Sequence, residues 1–225
     1  AGSDGGYRNL MHLYRGITFT SGDRIPVLTM DILERFAQHS SQLYLLHGPE
    51  SPVSEAIALH RFDVALEIFN KTRPFFADHA IECVSHLVGG NGPRSTAHAA
   101  RSLVFAREHD IPAVITNAVR MRDRSDGPVA DILDCARQLV PLDRRHLERR
   151  NDEAFLKDSN EMHRLAAEIA QAAGEGSPRL LLKTTREWAE RSLLSPQRDI
   201  GLGGVHLPEA DVVGAASAAD MRRLL

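Results

Sequence analysis

His79, Glu82 and His86 are close enough in sequence to suggest a group of metal ligands. Their spacing argues against a shared site, because alternation along a strand sends His79 and Glu82 to opposite faces. Hydrogen-bonded structural roles are therefore favoured for these two residues. Among the eleven histidines of the chain, His86 is the best candidate for a site at the carboxyl end of a strand. A single histidine without partners is not a metal site.

A glycine-rich segment, residues 87–95, lies between a predicted strand and a predicted helix, which is where loops that bind phosphate occur. It lacks the lysine of a P-loop and the GxGxxG spacing. An ordinary turn with Ser95 as the helix cap is the preferred interpretation, and anion binding is the alternative.

The most basic segment contains Arg144, Arg145, Arg149 and Arg150. These side chains could contact a nucleic-acid backbone, since phosphate contacts require positive charge more than exact geometry. Acidic residues interrupt the segment, so a solvated helix or loop is the favoured alternative.

The elements that position these residues alternate between strands and helices as far as residue 120. Residues 111–115 form an apolar run that predicts a buried parallel strand, preceded by a helical pattern over residues 95–109. This strand is expected to be central, with Asn117 at its carboxyl end making hydrogen bonds that fix the following loop. Such alternation predicts an α/β fold with a parallel sheet or barrel.

Beyond residue 122 the pattern becomes mainly helical. Pro128 precedes an apolar stripe of Val129, Ile132, Leu133, Ala136 and Leu139, and Asp158 with Glu161 predicts a capping box. Ser177 and Pro178 predict the start of a further helix, and residues 201–225 an extended tail.

Composition indicates a globular intracellular protein. The 225 residues are 43% hydrophobic and 25% charged, with a formal net charge of −3, so nucleic-acid binding would require a local basic patch. Cys83 and Cys135 are expected to be reduced core residues of a cytoplasmic protein. No run approaches the length of a membrane span, so no membrane partner is expected.

Several segments, in a family's order, resemble the polymerase-and-histidinol-phosphatase (PHP) domain of bacterial C-family DNA polymerases. That family comprises the replicative DNA polymerase III alpha subunit and its error-prone relative. The segments are residues 6–13 (GYRNLMHL), 43–48 (LYLLHG), 82–86 (ECVSH), 106–112 (AREHDIP), 116–120 (TNAVR) and 155–162 (FLKDSNEM).

The resemblance implies an incomplete (β/α)7 TIM-like barrel in residues 1–122, a helical portion in residues 123–200, and a tail in residues 201–225 that leads toward a polymerase palm. The chain resembles the later two-thirds of the domain, because the HxH element of the family's first strands has no counterpart here. An incomplete barrel leaves strand edges open, so a rearrangement, a partner or self-association is expected to cover them.

The resemblance also identifies three positions at which metal-binding relatives carry ligands. They correspond here to Pro49, Ala118 and Arg120, none of which can coordinate a metal. Two interpretations of Arg120 stay open: its charge replaces the metal structurally, or the side chain is simply exposed. His86 and Asn117 are the remaining candidates at the barrel mouth.

The resulting functional prediction is a non-catalytic, metal-site-degenerate PHP fragment that supports DNA synthesis in replication or repair. The fragment itself would need no cofactor, whereas the parent nucleotidyltransferase would use magnesium in its palm. Expected partners are DNA, reached through the parent polymerase, the other polymerase domains, and a sliding clamp or repair accessory proteins. The alternatives are a PHP-type metal-dependent phosphoesterase or 3'-5' exonuclease, and a non-catalytic partner-binding module.

Overall fold

A computed structural model of the chain describes residues 4–20, 28–40, 42–200 and 202–203. The chain divides into two compact units, Ala1–Leu193 and Leu194–Leu225. In the first unit, three parallel strands form an open sheet in the order β1 (Tyr44–His47), β2 (Asp78–Cys83) and β3 (Ala113–Ile115). The predicted α/β class with parallel strands is confirmed.

The described residues also form ten α-helices. They are α1 (Asp4–Thr20), α2 (Met30–Arg35), α3 (Ala37–Ser40), α4 (Pro52–Ala58), α5 (Phe62–Thr72), α6 (Thr96–Glu108), α7 (Gly127–Gln138), α8 (Ser159–Ala172), α9 (Arg179–Arg191) and α10 (Pro196–Asp199). Helices α4 and α5 connect β1 to β2, and α6 connects β2 to β3. None of the described helices is both long and apolar enough to cross a bilayer.

Side chains at the helix ends explain where several helices begin. Ser95 Oγ accepts a hydrogen bond from the backbone N–H of His98, so the predicted cap of α6 is confirmed. Asp158 and Glu161 form the predicted capping box of α8. Helix α9 begins one residue later than predicted, since Pro178 occupies the cap position and Ser177 Oγ accepts from the N–H of Arg179.

Helices cover both faces of the sheet. On one face, Ile81 packs against α4, α5 and α6, while Cys83 and Ile115 pack against α6 and α8. On the opposite face, Ala80 and Val114 contact Trp188 of α9. Both cysteines are buried free thiols, as predicted. Burial raises the pKa of Cys83 to about 12, which keeps this thiol protonated.

Strand β3 is buried but is not the central strand of the described sheet. It begins at Ala113, two residues later than predicted, and β2 lies at the centre. Val114 is 2% exposed because α9 lies along the outer edge of β3. Thr185 Oγ1 accepts a hydrogen bond of 2.9 Å from the backbone N–H of Ile115. A helix of the same chain therefore covers the strand edge that was expected to be open.

Helix α7 has an orientation opposite to the one that its apolar stripe suggests. Pro128 lies in its first turn, as predicted, but Val129, Ile132 and Leu133 are exposed to solvent. The buried side of the helix instead carries Asp131 and Asp134. Ion pairs described below stabilise this arrangement.

Helix α10 belongs to the second unit, where Ser195 Oγ accepts from the N–H of Arg198 at its start. The predicted tail over residues 201–225 lies outside the described residues, apart from residues 202–203.

Candidate functional site

A cleft of about 730 Å³ lies beyond the carboxyl ends of the strands. Five of the residues selected from the sequence line it together: Pro49, His86, Arg120, Arg149 and Arg150. The carboxyl end of a parallel sheet is where α/β proteins place functional side chains. This cleft is therefore the candidate site.

His86 is held in one tautomer at the base of the cleft. Its Nε2 lies 2.9 Å from the carbonyl oxygen of Asn117, and since a carbonyl only accepts, Nε2 carries the hydrogen. Nδ1 is then an unprotonated acceptor. Burial is the main cause that lowers the pKa of His86, so the ring is neutral at pH 7.

Asn117 fixes the loop after β3, as the sequence predicts. Its Nδ2 donates to the carbonyl oxygens of Glu153 and Phe155, at 2.8 and 2.7 Å. The N–H groups of Arg120 and Met121 donate to the carbonyl oxygen of Ala154 in the same segment. Within the described ranges, Asn117 Oδ1 is buried without a hydrogen-bond partner.

Arg120 forms an ion pair with Asp134, and both residues line the cleft. Its Nη2 lies 2.5 Å from Oδ1 of Asp134, whose side chain is almost completely buried. The Arg120 side chain is 45% exposed, so it is neither free in solvent nor fully buried. Both interpretations of Arg120 made from the sequence stay open, because the side chain is exposed and also forms an ion pair.

The other two positions that the sequence resemblance singled out, Pro49 and Ala118, carry no donor side chain. Pro49 lines the cleft directly after β1. Ala118 does not line the cleft, and its backbone adopts a φ of +39°. The Ala118 N–H donates to Thr116 Oγ1, which in turn donates to Glu82.

The four arginines of the basic segment divide into two groups. Arg149 Nε and Nη2 donate to the two carboxylate oxygens of Asp131, at 2.9 and 2.5 Å, and Arg149 also pairs with Asp152. Hydrogen bonds from Arg149 lower the pKa of Asp131, and those same bonds raise the pKa of Arg149. Arg150 lines the cleft, and no hydrogen bond or ion pair forms on its side chain within the described part of the chain.

Arg144 and Arg145 lie in a short 3₁₀ turn outside the cleft lining. Arg145 pairs with Asp143 at 3.0 Å in an exposed position. The predicted DNA contact therefore separates into a cleft pair, Arg149 and Arg150, and an exposed pair, Arg144 and Arg145.

The glycine-rich segment forms one wall of the cleft through Asn91, Gly92 and Arg94. Arg94 pairs with Glu50 from the loop after β1. Ser95 Oγ donates to the carbonyl oxygen of Gly92 while it caps α6, as the turn interpretation predicts. Anion binding by this loop stays a prediction.

His79 and Glu82 face opposite sides of the sheet, as alternation predicts. His79 Nε2 lies 3.3 Å from the carbonyl oxygen of Arg73, and its Nδ1 lies 3.2 Å from Nε2 of His47. Because the carbonyl fixes Nε2–H of His79 as a donor, His79 Nδ1 accepts from Nε2–H of His47. Glu82 lies beside Gly48, where an added Cβ would collide with the carboxylate. In the described ranges, no group of three or more histidine, cysteine or acidic side chains has the geometry of a metal site.

The sequence did not single out the two most informative acidic residues, Asp131 and Asp134. Both lie in a segment that periodicity marks as an amphipathic helix with an apolar inner face. The available signal was that they are three residues apart, which places them on one side of a helix. Their partners, Arg149 and Arg120, are 18 and 14 residues away in sequence and could not be assigned by spacing.

No family model matches this chain, and no curated protein matches it either.

Proposed function

We propose that this chain is a non-catalytic scaffold of PHP type that belongs to a bacterial C-family DNA polymerase, nearer to the error-prone branch than to the replicative one. In this proposal the three-stranded sheet is part of a (β/α)7 barrel. The protein acts in the cytoplasm on DNA through the parent polymerase, with the other polymerase domains and a clamp or repair proteins as partners.

The ion pair between Arg120 and Asp134 is the observation that carries the proposal. In metal-binding relatives the position of Arg120 is the one that supplies a ligand. A guanidinium remains protonated and can only donate, so it cannot bind a cation. It can, however, neutralise a buried carboxylate that would otherwise be costly to bury.

The ion pair between Arg149 and Asp131 supports the same conclusion. Two arginines together neutralise the two carboxylates on the inner side of α7. Arg120 precedes this helix in sequence, and Arg149 follows it. In this proposal the two guanidiniums neutralise buried carboxylates, which is the structural role that a bound metal has in an active PHP domain. The side chains of Pro49, Ala118 and Arg120 fit no metal, because none of them can donate a lone pair to a cation. Magnesium belongs to the palm of the parent polymerase, where it would assist nucleotide addition.

A paired measurement tests this proposal. Protein purified without chelator is analysed for zinc, manganese and magnesium by mass spectrometry, and the same sample is incubated with a labelled primer-template and each metal. We expect no stoichiometric transition metal, no primer extension and no shortening of the primer.

The His86→Ala variant distinguishes the alternatives, with His163→Ala as the matched control because His163 is exposed on α8. Shortening of the primer that His86→Ala abolishes and His163→Ala leaves intact would establish the alternative, a PHP-type phosphoesterase or 3'-5' exonuclease. Shortening that survives in both variants would come from a contaminant.

A partner-binding module is the second candidate function, and the exposed face of α7 favours it. Val129, Ile132 and Leu133 are each more than half exposed, although large apolar side chains are usually buried. A role as a scaffold and a role in partner binding are compatible, because neither requires a metal site.

A further inference from the structure

A second cleft, of about 840 Å³, lies at the opposite end of the sheet from the candidate site. It lies next to the amino ends of β2 and β3, and the carboxyl end of α6 and one face of α9 form its walls. We call it the amino-end groove. Its accessible apolar surface comes from Leu180, Ile111 and Pro112, and the buried side chains of Leu181 and Trp188 lie beneath it.

The rim of the amino-end groove is acidic. Five carboxylates line it, those of Asp78, Asp110, Glu175, Glu187 and Glu190, against two guanidiniums, those of Arg107 and Arg191, which gives a formal balance of −3. The two guanidiniums are too few to neutralise the five carboxylates.

Ion pairs account for only part of this charge. Arg191 lies 2.9 Å from Asp78, and Arg107 lies 3.6 Å from Glu175. In the described residues, Asp110 and Glu190 have no basic partner within ion-pair distance. Glu187 has only Lys183, at 3.6 Å, in a pair that is exposed on both sides.

The end of α6 adds to the negative potential. Arg107 and Asp110 place the last turn of this helix at the groove, and the carbonyl end of a helix carries a partial negative charge. Asp110, just beyond the helix, has a φ of +52°. The groove therefore combines an apolar floor with a rim whose unpaired charges are all negative.

We propose that the amino-end groove binds a cationic amphipathic peptide segment of a partner protein. The apolar side chains of such a segment would cover Leu180, Ile111 and Pro112, above the buried Trp188. Its lysine or arginine side chains would pair with Asp110, Glu187 and Glu190. Charge complementarity selects this occupant, because the same rim repels a nucleic-acid backbone or an anionic membrane surface. This inference is independent of whether the chain belongs to a polymerase.

Trp188 provides a specific reporter, since it is the only tryptophan of the chain and lies in the groove. The full chain is titrated with a synthetic amphipathic peptide of leucine and lysine while tryptophan fluorescence is recorded. A peptide of the same pattern with glutamate in place of lysine serves as the probe control. We expect a saturable change with the lysine peptide that weakens as salt is raised, and none with the glutamate peptide.

A triple variant tests the rim itself. Asp110→Asn, Glu187→Gln and Glu190→Gln remove the three carboxylates, and asparagine suits the positive φ at position 110. The affinity for the lysine peptide should fall about tenfold. The control triple variant, Glu34→Gln, Asp63→Asn and Glu168→Gln, makes the same change of charge at exposed positions outside the groove lining and should bind like the unmodified protein.

Three outcomes would overturn the proposal. They are the absence of a fluorescence change with the lysine peptide, equal binding of the glutamate peptide, and a control variant that weakens binding as much as the rim variant. Circular dichroism of both variants verifies that each retains the fold of the unmodified protein.

Discussion

Arg120 on the loop after β3 and Asp134 on α7 are joined by a contact of 2.5 Å between Nη2 and Oδ1. Asp134 has been removed from solvent almost completely, whereas the guanidinium is half exposed. Arg149 holds Asp131, one helical turn away, in the same way. These two contacts explain why α7 turns its acidic side inward and its apolar side outward.

Removal of the guanidinium should destabilise the fold. Among the described residues, Arg120→Ala leaves the buried Asp134 carboxylate with Arg137, at 3.9 Å, as its one remaining basic neighbour. We expect a loss of about 1–2 kcal/mol in the free energy of unfolding, since solvent already screens part of the interaction. Urea denaturation measures it.

Arg122→Ala is the matched control for Arg120→Ala. Arg122 is nearby in sequence, but its side chain is 88% exposed and its pair with Asp123 spans 3.6 Å. It should change the free energy of unfolding by less than about 0.5 kcal/mol. Equal effects of the two substitutions would show that the buried ion pair contributes no more than a surface one.

The same truncation should destabilise the fold at Val114 but have little effect at Val129. Val114 on β3 is 2% exposed, and Val114→Ala should cost about 1–3 kcal/mol through lost burial and the cavity left behind. Val129 on α7 is 55% exposed, and alanine is the better helix former, so Val129→Ala should lie within about 0.5 kcal/mol of the unmodified protein. A large loss at Val129 would mean that the apolar side of α7 is buried in solution.

Val114 and Val129 also differ in how well the sequence predicts their burial. The buried apolar run at Val114 and the cap at Ser95 depend on local chemistry, and both were predictable. Hydrogen bonding by Asn117 was also predictable from its place after β3, but its acceptors were not, because they lie 36 and 38 residues away in sequence. The orientation of α7 was not predictable, because periodicity identifies an apolar face without showing what covers it. The position of β3 at a sheet edge depends on strand order, which depends on contacts distant in sequence.

The convergence of Pro49, His86 and Arg120 on one cleft follows from a simpler rule. Each residue follows a strand, and the carboxyl ends of parallel strands meet at one edge of the sheet. The rule does not predict the partner of Arg120. That partner, Asp134, lies on the side of α7 that the apolar periodicity assigns to solvent.

The hydroxyl group of Thr185 on α9 should stabilise the edge of β3. Thr185→Val keeps the shape of the side chain but removes the acceptor for the N–H of Ile115. An unsatisfied buried N–H costs about 1–3 kcal/mol, which should appear as a lower free energy of unfolding in urea. Thr184→Val is the matched control, because no hydrogen bond of the Thr184 hydroxyl is found among the described residues. If both variants lose the same stability, the β-branched change itself and not the hydrogen bond is responsible.

The buried histidine pair should make the protein sensitive to acid. Burial lowers the pKa of His47 to about 4 and also lowers the pKa of His79. The unfolded chain binds protons at its ordinary histidine pKa of about 6.5, before the folded chain does. Stability is therefore fully present above about pH 6.5 and is lost as the pH falls toward 4, by up to about 3 kcal/mol from His47.

The His47→Gln variant isolates this contribution, because glutamine can still donate to His79 Nδ1 but does not titrate. Its free energy of unfolding, measured in urea at intervals from pH 7 to pH 4, should fall less steeply than that of the unmodified protein. His163→Gln removes an exposed histidine of α8 and should retain the full pH dependence. A buried neutral imidazole must contribute to the slope of the unfolding free energy against pH between pH 7 and pH 4. If His47→Gln and the unmodified protein show the same slope, the acid sensitivity has another origin.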